Sequence, residues 1–310
     1  MDCAQSLDHE HNDSESLGLQ TLYSFQQSLV KFSYQTNSHS PGRSLLISRE
    51  TGHKTTEGDS IEACADDDAQ LDAEGQRSPA GTPAKKRRRV ATPRQYAAPE
   101  KYAHLRPIND YLEEGLDIVF CGINPGRRSA ELGHHFAHSS NHFWKCLHLS
   151  GLTNKQVPPT EDHTLPERFY IGLTNMVDRP TAEANELKDS EFIAGIAPLF
   201  RKISRYRPRF VAFVGLHTSK LVLKYVMRNK ANKTARIKAF KPGLQNYKLV
   251  HQGGSQQVET LFYALPCTSG KVQGYQIPDK VALFAQLKMD LCKLKDGLLS
   301  TDDMVVCPMA

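Results

Sequence analysis

The chain's most restrictive feature is a short apolar run, Leu116–Cys121, interrupted only by Asp117 and followed at once by Gly122-Ile-Asn-Pro-Gly126. A strand with one wet face alternates apolar and polar residues. This run does not, so it predicts a strand covered on both faces, as in a parallel sheet. Phe210–Val214 and Leu261–Leu265 read the same way. Between these runs the apolar period becomes helical. Phe192, Ile196, Leu199, Ile203 and Tyr206 share one face, as do Leu221 and Tyr225 with Val222 and Val226 beside them. A third stripe, Val281, Phe284, Leu287, Leu291 and Leu294, opens behind Pro278-Asp279 as its N-terminal cap. Buried strands alternating with amphipathic helices predict an α/β domain in three layers, a mostly parallel sheet between helices. Ligands of such sheets gather at the carboxyl ends of the strands. GINPG and the later segment Pro266–Gly270 therefore fall on the same edge.

Residues 1–95 lack this patterning. Ser, Gln, Asp and Gly dominate them, which predicts a disordered regulatory tail, then a domain over 96–297 and a flexible C-terminal tail over 298–310. The chain carries 39 basic and 34 acidic residues, of which 11 and 14 lie in the tail, so the remainder holds a net charge of +8. A basic domain suits a polyanion such as nucleic acid. Lys85, Lys86, Arg87, Arg88 and Arg89 form a compact cluster that reads as a nuclear-import signal or a DNA-touching arm, against the plainer reading of a solvated charge run. It predicts residence in the nucleus. Ser78, Thr82 and Thr92 each precede proline and look like phosphorylation sites. Gln26–Tyr34 loosely resembles a sliding-clamp-binding box, and Asp302–Val306 suits a SUMO-binding strand. No apolar run approaches the roughly 20 residues of a membrane span. The seven cysteines never stand in CxxC spacing, which argues against a zinc ribbon or an iron–sulfur site.

The segment Gly122–Lys145, GINPGRRSAELGHHFAHSSNHFWK, supports three readings. As a phosphate cradle it lacks both the GxxxxGK[ST] and the GxGxxG spacing. As a metal site it offers His138, His142 and Cys146 at helical spacing, but Ser139-Ser140-Asn141 reads as a cap that leaves His138 outside the helix. As a base pocket it offers more. Gly122, Pro125 and Gly126 shape a tight loop, Asn124 supplies a neutral donor and acceptor, Phe136 a stacking face and His135 a donor.

The third reading coincides with a resemblance. GINPG, GHHF, NHFWKCL–SGL, DHTLP, GLTNMVDRPT and LPCTSG run in the order found in the thymine-DNA glycosylase and mismatch-specific uracil-DNA glycosylase family, across 118–270. Within that family the chain is most similar to eukaryotic, fungal-like members. The resemblance implies the uracil-DNA glycosylase fold and hydrolysis of the N-glycosidic bond of uracil or thymine mispaired with guanine. Hypoxanthine and oxidised cytosines are further substrates it suggests. It implies a monofunctional, monomeric enzyme that starts base-excision repair on double-stranded DNA, with no metal, no cofactor and no membrane, handing its product to downstream repair proteins. By resemblance Asn124 holds the attacking water. Ile123, Ser129, His135, Phe136, Asn141 and Asn175 match pocket positions. Ser129 stands where vertebrate members carry alanine and bacterial members serine, which implies a leaning toward uracil. Gly270 and Lys271 match the wedge that fills the gap left by a flipped base, with Gln273 or Tyr275 sharing that role. Gly122, Pro125, Gly126, Thr268 and Ser269 match loop contacts, and Arg127, Arg128 and Lys145 are candidate phosphate contacts. Two rival readings remain from the residues: a metal-dependent nuclease or hydrolase built on the histidines, and a non-catalytic DNA-binding adaptor.

Overall fold

Ile118 and Phe120 lie on one side of strand β1 (Ile118–Gly122), and Val119 and Cys121 on the other; all four are buried. A period of two with both faces apolar requires a layer above and a layer below. The computed structural model, which describes residues 97–228, 237, 239–251 and 258–307, supplies both. The readings that rest on residues 1–95, including the import cluster, the phosphorylation sites and the clamp box, lie outside the described residues.

Val119 and Cys121 pack under α4 (Asp189–Tyr206) and α5 (Leu216–Val226), through Phe192, Ile196, Leu199, Leu221 and Val222. Ile118 and Phe120 pack under α2 (Phe143–Leu149) and α6 (Ile277–Lys295), through Phe143, Trp144, Leu147, Phe284 and Leu287. The apolar stripes read from the sequence are thus the inner faces of these helices. Between the layers runs a six-stranded sheet in the order β2-β1-β3-β5-β4-β6. Strands β2 (Ile171–Asn175), β1, β3 (Phe210–Val214) and β5 (Val258–Leu265) are mutually parallel. The fold is a three-layer α/β/α arrangement around a mostly parallel sheet. Two short helices, α1 (Arg127–Leu132) and α3 (Leu165–Phe169), complete it around the carboxyl edge and the start of β2.

Three details depart from the sequence reading. Strand β4 (Gly243–His251) runs antiparallel to β5 and was not expected. Its buried Lys248 hides it from pattern reading, because the ammonium is satisfied by Glu259 at 2.6 Å and by Thr301 from far along the chain. The C-terminal segment, expected to be a flexible tail or a free SUMO-binding strand, is instead paired. Val305–Val306 forms β6 beside Tyr247 and Lys248, and the Cys307 N–H donates to the Lys248 carbonyl at 2.7 Å. Helix α6 starts at Ile277 with Gln276 as its cap, and Asp279 accepts the Gln276 N–H at 2.8 Å. Pro278 fits inside the first turn because its missing N–H has no intrahelical partner there.

The sheet delivers Gly122, Asn175, Val214 and Leu265 to one edge, with Gly122 paired to Asn175 in register. The approach of α4 to that edge is close: a Cβ on Gly195 would overlap the Met176 carbonyl oxygen just past β2. Helix propensity alone favours alanine over glycine inside a helix. We expect the opposite sign here, with Gly195→Ala destabilising the protein by about 1–3 kcal/mol through overpacking; urea denaturation measures it.

Candidate active site

A cleft of about 650 Å³, its mouth included, opens at the carboxyl edge. Ile123, Asn124, Pro125, Gly126, Ser129, His135, Phe136, Asn141, Asn175, Thr268 and Ser269 line it, so the structure brings these sequence-predicted residues together. Gly122 lies just behind: a Cβ there would overlap Asn175 Oδ1 and touch the Phe136 ring. Among the described residues, no Asp, Glu, Lys or Arg lines the cleft.

Asn124 is oriented by its partners. Its amide nitrogen donates to the Arg179 carbonyl and to Thr181 Oγ1, both at 2.8 Å. A carbonyl only accepts. The single Thr181 hydroxyl proton is already given to the Glu183 carbonyl at 2.9 Å. Neither partner can accommodate the flipped amide, so Nδ2 faces them and Oδ1 is what remains for a ligand. The support continues outward. Backbone bonds from Arg127 N–H to Thr181 O and from Thr181 N–H to Pro125 O tie the two loops together. The Arg179 guanidinium grips Glu191 at 2.8 and 3.1 Å and, through these bonds, holds that carboxyl below its usual range. Arg179 and Thr181 had no role in the sequence reading. They stand within the motif GLTNMVDRPT, just past the end of β2, which is where the strand-end rule points.

The opposite wall is the segment His134–Ala137. Phe136 has φ of 52°, the left-handed region. For a residue with a Cβ this costs about 1–2 kcal/mol. Its ring stacks on Phe143 at 4.0 Å and 19°. His135 is almost fully buried, and its Nε2 lies 2.9 Å from the Asn109 carbonyl. An oxygen that only accepts places the proton on Nε2, and Nδ1 is left as an acceptor. Burial holds the ring below the usual histidine value, so it is neutral. The expected donor role of His135 is therefore not available from its ring in this geometry, and its backbone N–H is taken by Asp162 at 2.8 Å.

Donors come from other positions. Asn141 Oδ1 accepts the Phe143 N–H at 3.0 Å, which leaves its NH₂ group to donate. Ser129 Oγ accepts the Ala137 N–H at 3.0 Å and keeps its own proton to give. The Asn175 side chain makes no hydrogen bond with the described residues and offers both functions. The cleft is thus a neutral set of paired donors and acceptors beside an aromatic face, a match for a flat, polar, uncharged ring.

At the lip, Thr268 and Ser269 are fastened to the start of α2. The His142 N–H donates to the Thr268 carbonyl at 2.8 Å, and Lys280, fully buried, donates to the Ser269 carbonyl at 3.1 Å. Gly270 is pressed against Ser140, whose carbonyl oxygen lies 2.6 Å from where a Cβ would be. Lys271, the expected wedge, has its ammonium buried rather than projecting, while Gln273 is exposed. Arg127 and Arg128 stand on α1 with Glu131 at 3.9 and 3.3 Å. Such surface pairs are weak. The histidines do not form a ligand set. His138 Nδ1 is occupied by Ser140, His142 Nδ1 faces the Lys280 ammonium at 3.5 Å, and burial pushes the Cys146 thiol up to about 11. Among the described residues no group of three or more His, Cys, Asp or Glu is placed to hold a metal ion.

The family model described as "Uracil DNA glycosylase superfamily" matches residues 109–285. A solution NMR structure of a candidate uracil DNA glycosylase from Methanosarcina acetivorans aligns with a TM-score of 0.36 at 15% identity, covering 59% of this chain and 98% of that one.

Three histidines with lowered pKa set a pH dependence. His135, His142 and His251 are each held below the ordinary value of 6.5, in every case chiefly by burial. The unfolded chain titrates at the ordinary value, so below it the unfolded state binds more protons. Stability is complete above pH 6.5 and falls as the pH descends through and below it. The urea midpoint followed across that window checks this, and a flat profile contradicts it.

Proposed function

Because the chain belongs to the uracil DNA glycosylase superfamily, and so is a DNA glycosylase, we propose that it excises uracil or thymine mispaired with guanine from double-stranded DNA, with uracil preferred. The observation that carries this reading is the fixed Asn124 amide, whose carbonyl oxygen is left for a ligand in a cleft that no charged side chain of the described residues lines.

The reaction follows from that arrangement. The mispaired nucleotide leaves the stack, which costs less than extruding a paired one. Its base enters beside Phe136, with Asn141 and Asn175 at its polar edge. The bond from C1′ to the base nitrogen breaks and its electron pair leaves with the base. A water accepted by Asn124 Oδ1 supplies the oxygen that bonds to C1′, and its proton passes to solvent or to the departing base. An amide is no general base, so the rate depends on placing the water and on donors aimed at the base anion. The Ser129 hydroxyl lines the same pocket and disfavours an added methyl group there. The lip Ser269–Gly270–Lys271 fills the vacated stack, and Lys271 reaches DNA only after its ammonium leaves its buried seat. Arg127, Arg128 and Lys145 meet phosphates, which makes binding salt-dependent. The basic cluster Lys85–Arg89 supports a nuclear location.

Asn124→Ala is expected to slow single-turnover release of uracil from a G·U duplex by about 10²–10³-fold, as for loss of one aimed polar group, while duplex binding is retained. Thr181→Val, which removes one of the two acceptors that orient the amide, loses part of the same rate. Scoring abasic sites on G·U and G·T duplexes tests both. A native protein that releases no base overturns the functional reading, and an Asn124→Ala variant of native rate overturns the assignment. Ser129→Ala slows both substrates but raises the thymine-to-uracil ratio by about tenfold, the scale of one methyl group in a pocket.

A further inference from the structure

Phe136 keeps a strained backbone, and strain of this kind persists only where the surroundings over-determine it. Three side chains do so. Asp162 Oδ2 accepts the His135 N–H at 2.8 Å, Ser129 Oγ accepts the Ala137 N–H at 3.0 Å, and Trp144 Nε1 donates to the His135 carbonyl at 3.1 Å. The amides on either side of Phe136 are therefore both held by side chains, not by regular backbone pairing. Asp162 is fully buried in the 3-10 turn Pro159–Thr164, and its other oxygen lies 3.1 Å from His134 Nδ1. It does not line the cleft.

We propose that Asp162 is a positioning residue: with Ser129 and Trp144 it clamps the His134–Ala137 backbone so that the Phe136 ring is set against Phe143 before a base arrives. This rests on the functional reading above and adds the element that builds its stacking wall. Without the clamp, residues 135–137 relax toward an ordinary backbone conformation, the ring leaves its seat, and the base loses its face. The Asp162 side chain never meets the substrate, so its loss acts on the bound complex. DNA is held elsewhere, at the lip and the basic surface.

Base release by the native protein on a G·U duplex comes first. If there is none, the functional reading fails and the clamp is judged by fluorescence alone. Trp144 is the chain's only tryptophan and is buried against the His135 carbonyl, so its emission reports the clamp without any reaction. Asp162→Ala is expected to shift that emission to the red. It should also lower the single-turnover rate at saturating enzyme by about 10- to 100-fold, the scale of a misplaced site group. The dissociation constant for the duplex should change by less than about 2-fold, since binding of the ground state is untouched. Asp162→Asn keeps an oxygen for the His135 N–H and should recover to within about 5-fold of the native rate. Phe136→Gly removes both ring and strain; in that background Asp162→Ala should change the rate by less than about 2-fold, because coupled residues do not add. Native emission and native saturated rate in Asp162→Ala overturn the proposal, as does an undiminished loss in the Phe136→Gly background. Should Asp162→Ala not fold, Ser129→Ala tests the other jaw by Trp144 emission, because loss of the pocket hydroxyl slows the reaction in either case. A red shift then supports the clamp, and native emission overturns it.

Discussion

At Gly122 the sheet and the cleft share one residue, and both depend on its having no side chain. It is the last residue of β1 and pairs with Asn175 at the end of β2. The space a Cβ would occupy is taken by Asn175 Oδ1, with the Phe136 ring against it. Two walls of the cleft, one from β2 and one from the His134–Ala137 segment, can therefore close over the strand end. The loop that leaves Gly122 then carries Asn124 to the floor between them. A larger residue would part the walls and widen the site at the point where a flat ring has to be gripped.

The cleft is neutral, and that determines what kind of catalyst it can be. A carboxylate beside C1′ would activate water strongly, but among the described residues none lines the space. What is available is an acceptor whose direction cannot change, because both partners of the Asn124 amide are unable to donate to it. Fixed polar groups in a water-poor site need no reorganisation when charge develops, which is the source of their leverage. The structure puts its effort into orientation: the Arg179–Glu191 pair, the Thr181 relay and the backbone ties to Pro125 and Arg127 all converge on one amide. This suits a DNA glycosylase that relies on placement of its groups more than on a strong base.

Much of the fold was legible because it is written in local periods. The runs at Ile118, Phe210 and Leu261 and the stripes of α4, α5 and α6 declare their burial in the order of their own residues. The cleft's position followed from strand ends, and its lining from short motifs. What could not be read was cooperation over distance. Strand β4 is concealed by Lys248, whose burial makes sense only beside Glu259 and Thr301. His135 looked like a donor because free imidazole has one to give; Asn109 takes it, and no spacing announces that contact. Lys271 looked like a projecting wedge because it matches the family's wedge position, yet its ammonium is buried. For Lys248 and His135 the departure concerns a polar atom whose partner lies well away in sequence.

The ionisable groups nearest the cleft share one arrangement. Asp162 stands behind the GHHF wall and Lys280 behind the lip, each fully buried and each making a hydrogen bond to backbone: Asp162 accepts from the His135 N–H, and Lys280 donates to the Ser269 carbonyl. Burying such groups is expensive unless they are well paired. Here they secure two segments that have little regular structure of their own, one carrying a strained Phe136 and one pressing Gly270 onto Ser140. Placed one layer back, these groups stiffen the walls without adding a charged side chain to the lining. A full charge in the lining would bind charged ligands and attract water. A neutral pocket with stiff walls instead admits an uncharged base and reserves its strongest interactions for the anion that forms as the bond breaks.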